Sequence, residues 1–346
     1  MSPLRKSLER LLDRRDLAES EAEELLVELT QSDTSPAMAG AVLAALRVKG
    51  VVADEVRGFA NGMRRLARRP GIPAGLRAID VVGTGGDGSG SLNISTGTAL
   101  LTAACGIPVI KHGNRSISSR AGSADVLEAL GMRLPLDEQA APECLGKASF
   151  TFLFAPYYHP AMKALAPVRT ALGVRTVFNL LGPLTNPAEP LLHVIGAPRI
   201  EEARLIAETL AGMPIERAFV IHGAEGWDEP TPIGPFTLFD VRPGKVKVAM
   251  RSASDYGLAA CGSSGLAGGD AAHNARALRA VLTGEDRGPH RDCLLLGAAL
   301  ALEVAGAARS PRAALEQAIQ AIEGGAAERV LDAVAAFGRT AGERPR

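Results

Sequence analysis

The sequence predicts an α/β protein in which a small N-terminal helical domain precedes a larger α/β domain with a mostly parallel central sheet. Apolar residues recur at helical spacing through the first part of the chain, and a Pro/Gly-rich linker follows at residues 67–75. Beyond the linker, short apolar runs alternate with helical segments, a pattern that is typical of parallel strands joined by helical crossovers. We therefore expect a helical domain at residues 1–70 and an α/β domain at residues 76–346.

The first 70 residues predict four helices. Ser35 followed by Pro36 is a favourable start for the third helix, because proline suits the first helical position. That helix is expected to end near Gly50, and Asp54 begins the fourth. The first two helices are indicated by leucines and one alanine at helical spacing, namely Leu4, Leu8, Leu11, Leu12, Ala22, Leu25, Leu26 and Leu29.

The α/β domain is predicted from alternating strands and helices. The expected strands are 78–82, 108–110, 150–154, 193–196, 218–222 and 236–241, and the expected helices between them are 96–105, 125–130 and 200–211. The segment 162–172 is helical but out of step with the alternation, so we expect a helical insertion near 160–190 that joins the first domain. Two or three alanine-rich helices are expected to complete the chain.

Composition and charge exclude several classes of protein. The 346 residues carry 38 basic and 38 acidic side chains, so no global field favours nucleic acid or an anionic membrane. The four cysteines form no C-x-x-C pair, which argues against a zinc site or a disulfide framework. The N-terminus has no signal-peptide pattern, and the apolar stretch 293–308 is interrupted by Glu303. We expect a cytoplasmic protein with neither a nucleic-acid nor a membrane partner.

A glycine-rich loop follows the first predicted strand and raises the question of which phosphate ligand it binds. Gly83, Gly85 and Gly88 have the dinucleotide spacing, but no acidic residue stands about 20 positions on to hold a ribose. Residues 89–93 also separate the loop from the next helix. A nucleoside-triphosphate loop would need Gly-Lys-Ser/Thr at its end, whereas Ser89 and Gly90 follow Gly88.

A third interpretation uses more of the sequence. The bare backbone of the glycine loop exposes N–H groups to an anion, and residues 93–96 add an amide and two hydroxyls at a helix start. Lys111 and Arg115 bring positive charge from the next strand end, and Ser118, Ser119 and Arg120 add donors. Two loops at neighbouring strand ends would thus converge on one polyanion. A tight turn alone would explain the glycines but not these donors.

Six blocks of the sequence resemble the anthranilate phosphoribosyltransferase family. They are 83–87 (GTGGD), 93–96 (NIST), 111–116 (KHGNRS), 122–131 (GSADVLEALG), 179–187 (NLLGPLTNP) and 268–274 (GGDAAHN). The resemblance extends from the N-terminal to the C-terminal helices. Members of this family transfer phosphoribose from 5-phosphoribosyl-1-diphosphate (PRPP) to anthranilate in tryptophan biosynthesis. Pyrimidine nucleoside phosphorylases share the fold but match the phosphate loop only in part, and the block 111–116 favours the transferase.

The resemblance implies a Mg²⁺-dependent homodimer and assigns roles to particular residues. The catalytic residues would be Lys111, Asn114 and Arg169. The metal ligands would be Ser95, Asp228 and Glu229. Anthranilate would be bound by Gly83, His112, Asn114, Arg169 and Gly182. PRPP would be held by the loop residues and the donors that follow them: Gly83, Thr84, Gly85, Gly86, Asp87, Asn93, Ser95, Thr96, Lys111, Ser119 and Ser123.

Elementary chemistry agrees with these roles. Mg²⁺ prefers carboxylate and phosphate oxygens, which Asp228, Glu229 and PRPP would supply. The guanidinium of Arg169 matches a carboxylate in two hydrogen bonds, although Arg175 is close in sequence and could take that role. Mg²⁺ and Lys111 would neutralise the leaving diphosphate, while Asn114 and Arg169 align the acceptor. The carboxylate of anthranilate could accept the amine proton, so no protein base is assigned.

Some alternatives remain open at this point. Adjacent acids in a loop are often only solvated, and His112 could simply pack the loop. Trp227 and Pro230 flank the acidic pair where the family more often has leucine and a β-branched or aromatic residue, and Gly297 replaces a frequent asparagine. These differences allow for another aromatic acceptor. A nucleoside phosphorylase and a non-catalytic nucleic-acid binder are further hypotheses, and zero net charge argues against the second.

Overall fold

The computed structural model describes residues 3–73, 76–116 and 120–340. The chain begins with four helices, as predicted: α1 (Pro3–Leu12), α2 (Glu19–Leu29), α3 (Pro36–Lys49) and α4 (Ala53–Arg65). Proline stands at the start of α3, where its missing N–H leaves no hydrogen bond unmade. Gly50 ends α3 at a φ of +84°. Buried leucines and valines of α2, α3 and α4 face one another, so the four helices form a compact apolar layer.

Strands in the described part of the chain form one sheet. They are β1 (Ile79–Gly83), β2 (Val109–Gly113), β3 (Phe150–Phe154), β4 (Leu192–Gly196), β5 (Arg217–His222), β6 (Phe236–Arg242) and β7 (Lys245–Arg251). Their order across the sheet is β3-β2-β1-β4-β5-β6-β7. The first five strands are parallel, whereas β6 and β7 run antiparallel at one edge. The sheet is therefore mostly parallel, which confirms the predicted fold class.

Helices cover the sheet and complete the C-terminal third. In chain order they are α5 (Ile94–Ala104), α6 (Ser123–Ala129), α7 (Ala140–Ala148), α8 (Ala155–Tyr158), α9 (Ala166–Leu172), α10 (Phe178–Leu181), α11 (Ile200–Ala211), α12 (Ala253–Tyr256), α13 (Ala271–Leu282), α14 (Pro289–Val304), α15 (Pro311–Glu323) and α16 (Ala326–Thr340). Short 3₁₀ turns stand at Pro160–Lys163, Gly182–Leu184, Ala224–Gly226 and Ser263–Leu266. Two or three alanine-rich helices were expected at the end of the chain, and the described residues contain four long ones, α13 to α16.

Several bounds differ from the sequence prediction. β2 extends to Gly113, which places Lys111 and His112 within the strand and not in the loop after it. α5 begins at Ile94, so Ser95 lies in its first turn. The segment 162–172 is not one helix: a 3₁₀ turn precedes α9, which restarts with Pro167 in its first turn, where a missing N–H is tolerated. Helix α7 and the edge strand β7 were not predicted. The side chains of β7 are largely exposed.

Two apolar clusters form the core. One fills the space between the sheet and the C-terminal helices, where Gly297 of α14 lies against Thr98 of α5 with no room for a larger residue. The other joins α2–α4 to apolar residues of the 165–184 segment and of α11. The segment near 160–190 thus packs with the N-terminal helices. The division at residues 70 and 76 stays a prediction.

The topology fixes the place where a ligand is expected. The chain runs from β1 outward through β2 to β3 and then returns to the other side of β1 with β4. The connections leaving β1 and β4 therefore diverge, and a crevice opens between their carboxyl ends. Gly83 and Gly196 are the last residues of these two strands and are paired in register.

Two expectations about the class of protein concern membranes and thiols. Among the residues that the structure describes, no helix has the length and apolar composition needed to cross a bilayer. Cys105, Cys144, Cys261 and Cys293 are free thiols, and two of them are fully buried.

Candidate active site

Asp228 occupies the crevice between β1 and β4. Its Oδ2 atom accepts a hydrogen bond from the backbone N–H of Gly85 at 2.5 Å. A Cβ atom at Gly83 would overlap this carboxylate, and one at Gly196 would overlap the backbone carbonyl of Asp228. Glycine at both strand ends therefore allows the acidic loop after β5 to reach the start of the glycine loop.

Glu229 binds the start of α5. Its Oε1 atom accepts a hydrogen bond from the backbone N–H of Ser95 at 3.0 Å, one of the N–H groups that a helix leaves free in its first turn. Burial, aided by the charge of Asp228, raises the pKa of Glu229 to about 8. Burial, aided by the charge of Asp87, raises the pKa of Asp228 to about 7. The two carboxylates are thus held together with their repulsion incompletely balanced.

Lys111 brings positive charge to the same place from β2. It is only 1% exposed, and its Nζ donates to the carbonyl of Val81 at 2.5 Å and to Oγ of Ser95 at 3.4 Å. Burial lowers the pKa of Lys111, while the charges of Asp80, Glu229 and Asp228 oppose that shift. The ammonium therefore stands among three carboxylates, with Ser95 between it and Glu229.

Asp80 in β1 supports Lys111 from the protein interior. Its Oδ2 atom accepts from Nδ2 of Asn186 at 2.9 Å, and its Oδ1 atom accepts from the backbone N–H of His112 at 3.3 Å. Burial raises the pKa of Asp80 to about 6, against the effect of Lys111 and these hydrogen bonds. Sequence reasoning missed both Asp80 and Asn186, although Asn186 lies in one of the resembling blocks.

The oxygen atoms of Asp228, Glu229 and Ser95 suit a hard divalent cation. Burial and a neighbouring carboxylate raise the pKa of both acids, and a bound cation would favour their charged forms. In residues 3–73, 76–116 and 120–340, no three or more His, Cys, Asp or Glu side chains surround a point that could hold a metal ion. A cation here would need further ligands from a phosphate and from water, which is how Mg²⁺ is usually bound.

Several donors of the glycine loop have protein partners, but two hydroxyls in and beside it do not. The backbone N–H of Thr84 donates to the carbonyl of Gly196 at 2.9 Å, which fixes the start of the loop. Oδ1 of Asp87 accepts from the backbone N–H and the hydroxyl of Ser89, both at 3.0 Å. The hydroxyls of Thr84 and Thr96 are buried without a hydrogen-bond partner among the described residues. Because buried polar atoms are usually paired in folded proteins, these two hydroxyls are free to bind a ligand.

The second predicted loop is held by amides. Nδ2 of Asn93 donates to the carbonyl of Ala121 at 3.0 Å, and Oδ1 of Asn93 accepts from Nδ2 of Asn274 at 2.8 Å. Ser123 begins α6, and its hydroxyl donates to the carbonyl of Asn114 at 3.2 Å. Asn93 thus binds the backbone two residues before Ser123, and Ser123 binds that of Asn114. Asn274, in the block 268–274, is a member that the sequence analysis did not single out.

Two predictions about this loop have other outcomes. Ser118 and Ser119 lie outside the described residues. Arg115 does not supply free positive charge: its guanidinium donates to Asp125 at 2.8 Å and to both oxygens of Glu128, so its charge is already balanced. We call the loop 83–87, together with Ser95, Lys111, Asp228 and Glu229, the phosphate edge.

On the other side of β2 the site contains two buried imidazoles. Nδ1 of His112 lies 3.0 Å from the carbonyl of Gly182, and the rings of His112 and His159 meet edge to face with centroids 5.1 Å apart. Burial lowers the pKa of His112 to about 3 and that of His159 to about 4. Both imidazoles are neutral at pH 7. Nε2 of His112 has no partner within the described part of the chain.

Arg169 and Arg175, the two candidates for a carboxylate ligand, have different surroundings. The Arg169 guanidinium lies 5.1 Å from the ring centroid of Phe178, in the helix that precedes Gly182, and burial lowers its pKa. Arg169 makes no ion pair with any described residue, whereas Arg175 pairs with Glu202 at 3.3 Å. Arg169 is therefore the more available partner for an aromatic carboxylate. We call His112, His159, Arg169 and Gly182 the acceptor side.

The residues that depart from the family pattern face away from these groups. Trp227 is buried in the core of the α/β domain, and its carbonyl accepts from the backbone N–H of Gly223 at 2.9 Å. The carbonyl of Pro230 accepts from the buried thiol of Cys293 at 3.6 Å. These contacts anchor the acidic loop from behind and leave the carboxylates of Asp228 and Glu229 at the crevice.

Comparison with known proteins places these features in context. Residues 75–328 match the model of the glycosyl transferase family, a/b domain, and residues 5–67 match that of the glycosyl transferase family, helical bundle domain. The anthranilate phosphoribosyltransferase of Rubrobacter xylanophilus is 44% identical over 329 residues, which span 95% of this chain and 96% of that protein. That of Methylobacterium sp. (strain 4-46) is 46% identical over 315 residues, with 91% and 93% covered.

Solved structures are similar over the same extent. The anthranilate phosphoribosyltransferase of Thermus thermophilus superposes with a TM-score of 0.89 at 39% identity, covering 96% of this chain and 99% of that one. The Saccharomyces cerevisiae enzyme, crystallised in complex with PRPP and Mg, superposes with a TM-score of 0.88 at 27% identity, covering 97% and 98%. The likeness thus includes both the helical and the α/β parts.

Proposed function

Because the chain belongs to the anthranilate phosphoribosyltransferase family, we propose that it transfers the phosphoribosyl group of PRPP to the amine of anthranilate. The products are N-(5-phosphoribosyl)anthranilate and diphosphate, the reaction requires Mg²⁺, and it serves tryptophan biosynthesis. The observation that carries the proposal is the position of Asp228 between Gly83 and Gly196. Ser95, Glu229 and Lys111 lie around it. This arrangement suits a metal-bound sugar diphosphate.

The phosphate edge binds PRPP. Phosphate oxygens accept from the backbone N–H groups of Gly86 and Asp87 and from the unpartnered hydroxyls of Thr84 and Thr96. The N–H groups of Thr84 and Gly85 already bind Gly196 and Asp228. The side chains of Asn93 and Ser123 line the second loop, and Ser119 is assigned to it by the resemblance alone. Asp228, Glu229 and Ser95 hold Mg²⁺, which when bound neutralises part of the charge of the diphosphate.

Lys111 stabilises the departing diphosphate. As the bond from C1′ to diphosphate breaks, negative charge grows on the leaving oxygens and positive charge grows on the ribose ring. A buried ammonium that is already fixed by Val81 and Ser95 stabilises the negative charge without reorganising. The hydrogen bonds of Asp80 to Asn186 and His112 keep the carboxylate behind Lys111 in place.

The acceptor side aligns anthranilate. Arg169 binds its carboxylate through the two N–H groups of the guanidinium fork. His112 is neutral, so it offers Nε2 to the acceptor without adding charge, while Asn114 and the backbone at Gly83 and Gly182 complete the site. The amine then attacks C1′ from the face opposite the diphosphate, and the acceptor's own carboxylate accepts the proton. Rate acceleration comes mainly from orientation.

The fluorescence of anthranilate tests this function. We expect the signal to fall when protein, PRPP and Mg²⁺ are all present, and to stay constant when either PRPP or Mg²⁺ is left out. Product identity is checked by mass spectrometry. A constant signal in the complete mixture would refute the proposal.

A parallel assay separates the related activity. Pyrimidine nucleosides should remain intact when they are incubated with this protein and inorganic phosphate. Other aromatic carboxylic acids with an ortho amine should be poorer acceptors than anthranilate. Release of free base from a nucleoside, without loss of anthranilate, would instead assign a phosphorylase.

We also propose that the enzyme is a cytoplasmic homodimer whose helical domain spans residues 1–70. Leu12 of α1, Val48 of α3 and Val174 after α9 are 66%, 75% and 47% exposed. Helix α3 contacts both α1 and α9. Burial of these side chains against a second copy would remove them from water. The four free thiols favour a reducing compartment. Light scattering after gel filtration tests the dimer, and Leu12→Glu with Val48→Glu should give a monomer.

A further inference from the structure

Arg175 lies directly against the glycine loop, although it comes from the segment between α9 and α10. Its NH1 atom is 2.5 Å from the position that a Cβ atom on Gly86 would occupy. Gly86 has a φ of +80°, so only glycine fits there without strain, and its bare surface faces the guanidinium. An arginine thus stands beside the backbone that is expected to bind phosphate.

The charge of Arg175 is only partly balanced. Its NH2 atom lies 3.3 Å from Oε2 of Glu202, but the same carboxylate also accepts from Nε and NH2 of Arg199. Two guanidinium groups therefore share one carboxylate. In addition, Nε of Arg175 is buried without a hydrogen-bond partner in the described ranges. The side chain has both spare charge and spare donors.

The backbone of Arg175 connects the loop to the helical part of the protein. Its carbonyl accepts a hydrogen bond from the guanidinium of Arg47 in α3. The backbone is therefore held from one side, while the guanidinium reaches the phosphate edge on the other. Arg169, which we assign to the anthranilate carboxylate, lies six residues earlier, in the last turn of α9.

We propose that Arg175 is a second substrate-binding arginine, which donates to a phosphate oxygen of PRPP held by the 85–87 loop. The inference rests on the proposed function and deepens it. One segment would then carry an arginine for each substrate, Arg169 for the acceptor carboxylate and Arg175 for the phosphate. Glu202 pairs with the guanidinium of Arg175 in the absence of substrate and gives up part of this contact when the stronger anion binds.

Calorimetric titration with PRPP and Mg²⁺ tests the role of Arg175 in binding. Arg175→Gln keeps most of the volume but removes the charge, and we expect its affinity for PRPP to fall by about tenfold or more. The KM for anthranilate should change by less than about twofold, because the acceptor carboxylate binds elsewhere. Arg175→Lys, which keeps the charge but not the fork, should lie between the two.

Arg199→Ala is the matched control. It removes the other arginine that shares Glu202 but does not touch the loop, so its affinity for PRPP should stay within about twofold of the wild type. Glu202→Gln removes the competing carboxylate, and we expect PRPP to bind equally well or more tightly. Weaker binding by Glu202→Gln, or unchanged binding by Arg175→Gln, would overturn the proposal. Thermal melting shows whether each variant is folded.

Two probes separate the ends of PRPP. Inorganic diphosphate and ribose 5-phosphate are titrated into the wild type and Arg175→Gln, and whichever loses affinity identifies the phosphate that Arg175 binds. If neither loses affinity, Arg175 does not bind phosphate. These titrations need no turnover: if the wild type binds PRPP but does not consume anthranilate, the proposed function fails and the role of Arg175 is still decided.

Discussion

The phosphate edge and the acceptor side lie on either side of β2, and burial raises the pKa values of two acids on the first and lowers those of two imidazoles on the second. Lys111 and His112 are neighbours in that strand, and their side chains alternate between the two faces. Lys111 enters a group of three carboxylates, and Asp228 and Glu229 have pKa values raised to about 7 and about 8. His112 enters a group of neutral imidazoles, with pKa values lowered to about 3 and about 4.

The difference reflects what each side has to do. A doubly charged metal and a polyanion meet at the phosphate edge, so surplus acids and a buried ammonium are held ready there. The acceptor is one aromatic ring with one carboxylate, so a guanidinium for the carboxylate and neutral imidazoles beside it suffice. The following predictions test this division of labour, beginning with the largest expected effect.

Neutralising both acids of the phosphate edge should have the largest effect. Asp228→Asn with Glu229→Gln removes the charges that bind Mg²⁺, and we expect kcat/KM to fall by about a hundredfold or more, with loss of the response to Mg²⁺. Folding should be preserved, because neutral amides relieve the repulsion between the buried acids. Steady-state kinetics over a Mg²⁺ series measures the effect.

The melting temperature without Mg²⁺ serves as the control for that double variant. It should equal or exceed that of the wild type at pH 8. A rate that is unchanged and still depends on Mg²⁺ would exclude these two residues from metal binding, and the comparison of the two sides would then fail.

Removing the guanidinium of the acceptor side should affect only one substrate. Arg169→Ala loses a charge-assisted pair with the anthranilate carboxylate, so we expect the KM for anthranilate to rise by about tenfold to a hundredfold. The KM for PRPP should change little, because the phosphate edge is intact. Kinetics with each substrate varied in turn checks this. Equal weakening of both substrates would place Arg169 between the two sides.

Two glycines of the loop offer a matched pair for a smaller effect. Gly86 and Gly88 have φ values of +80° and +72°, so alanine is strained at both positions, but only at Gly86 would its Cβ meet Arg175. We expect Gly86→Ala to weaken PRPP binding about fivefold more than Gly88→Ala. Calorimetric titration with PRPP measures both. Equal effects would mean that backbone strain alone matters there.

The last two predictions concern the dependence of stability on pH. The pKa of His159 is lowered from 6.5 to about 4, so the stability that its burial contributes is present above pH 6.5 and is lost as the pH falls toward 4. Between pH 7 and pH 5 this amounts to about 2 kcal/mol. His159→Gln should remove that part of the acid slope. Urea unfolding of wild type and variant at pH 7 and pH 5 gives the comparison.

The acids of the phosphate edge should give the opposite slope. The pKa values of Asp228 and Glu229 are raised to about 7 and about 8, so their contribution is present below pH 4 and is lost as the pH rises through 7 and 8. The metal-free wild type should therefore lose stability between pH 6 and pH 8, and the double variant Asp228→Asn, Glu229→Gln should not. The same slope in both proteins would contradict the assignment.

Much of the fold could be predicted from the sequence because the signals are local. Apolar periodicity, Pro36 and Gly50 define the N-terminal helices, and short apolar runs define the parallel strands. The edge strand β7 was missed because its alternating lysines and apolar residues are mostly exposed. The break before α9 was missed because helical spacing continues across it, although Pro160 and Pro167 mark it.

The site was predictable in part. The glycines, Lys111 and the two acids were found from motifs and from resemblance, but contacts across the sheet were not. Asp80 looks like part of an apolar strand until Asn186, more than a hundred positions away, is seen beside it. Arg175 was considered only as an alternative for the acceptor, because no local pattern could place it against Gly86. Such pairs depend on topology, which sequence spacing does not contain.

The fit of Asp228 between Gly83 and Gly196 bears on how this enzyme could change. Any side chain at either glycine would collide with the acidic loop, so these two positions should tolerate almost no replacement in a library of random variants. In the helical segment around Arg169, by contrast, Ala166, Pro167, Thr170 and Ala171 are exposed. Laboratory evolution toward a new aromatic amine should therefore accumulate its changes on that segment and leave both strand ends untouched.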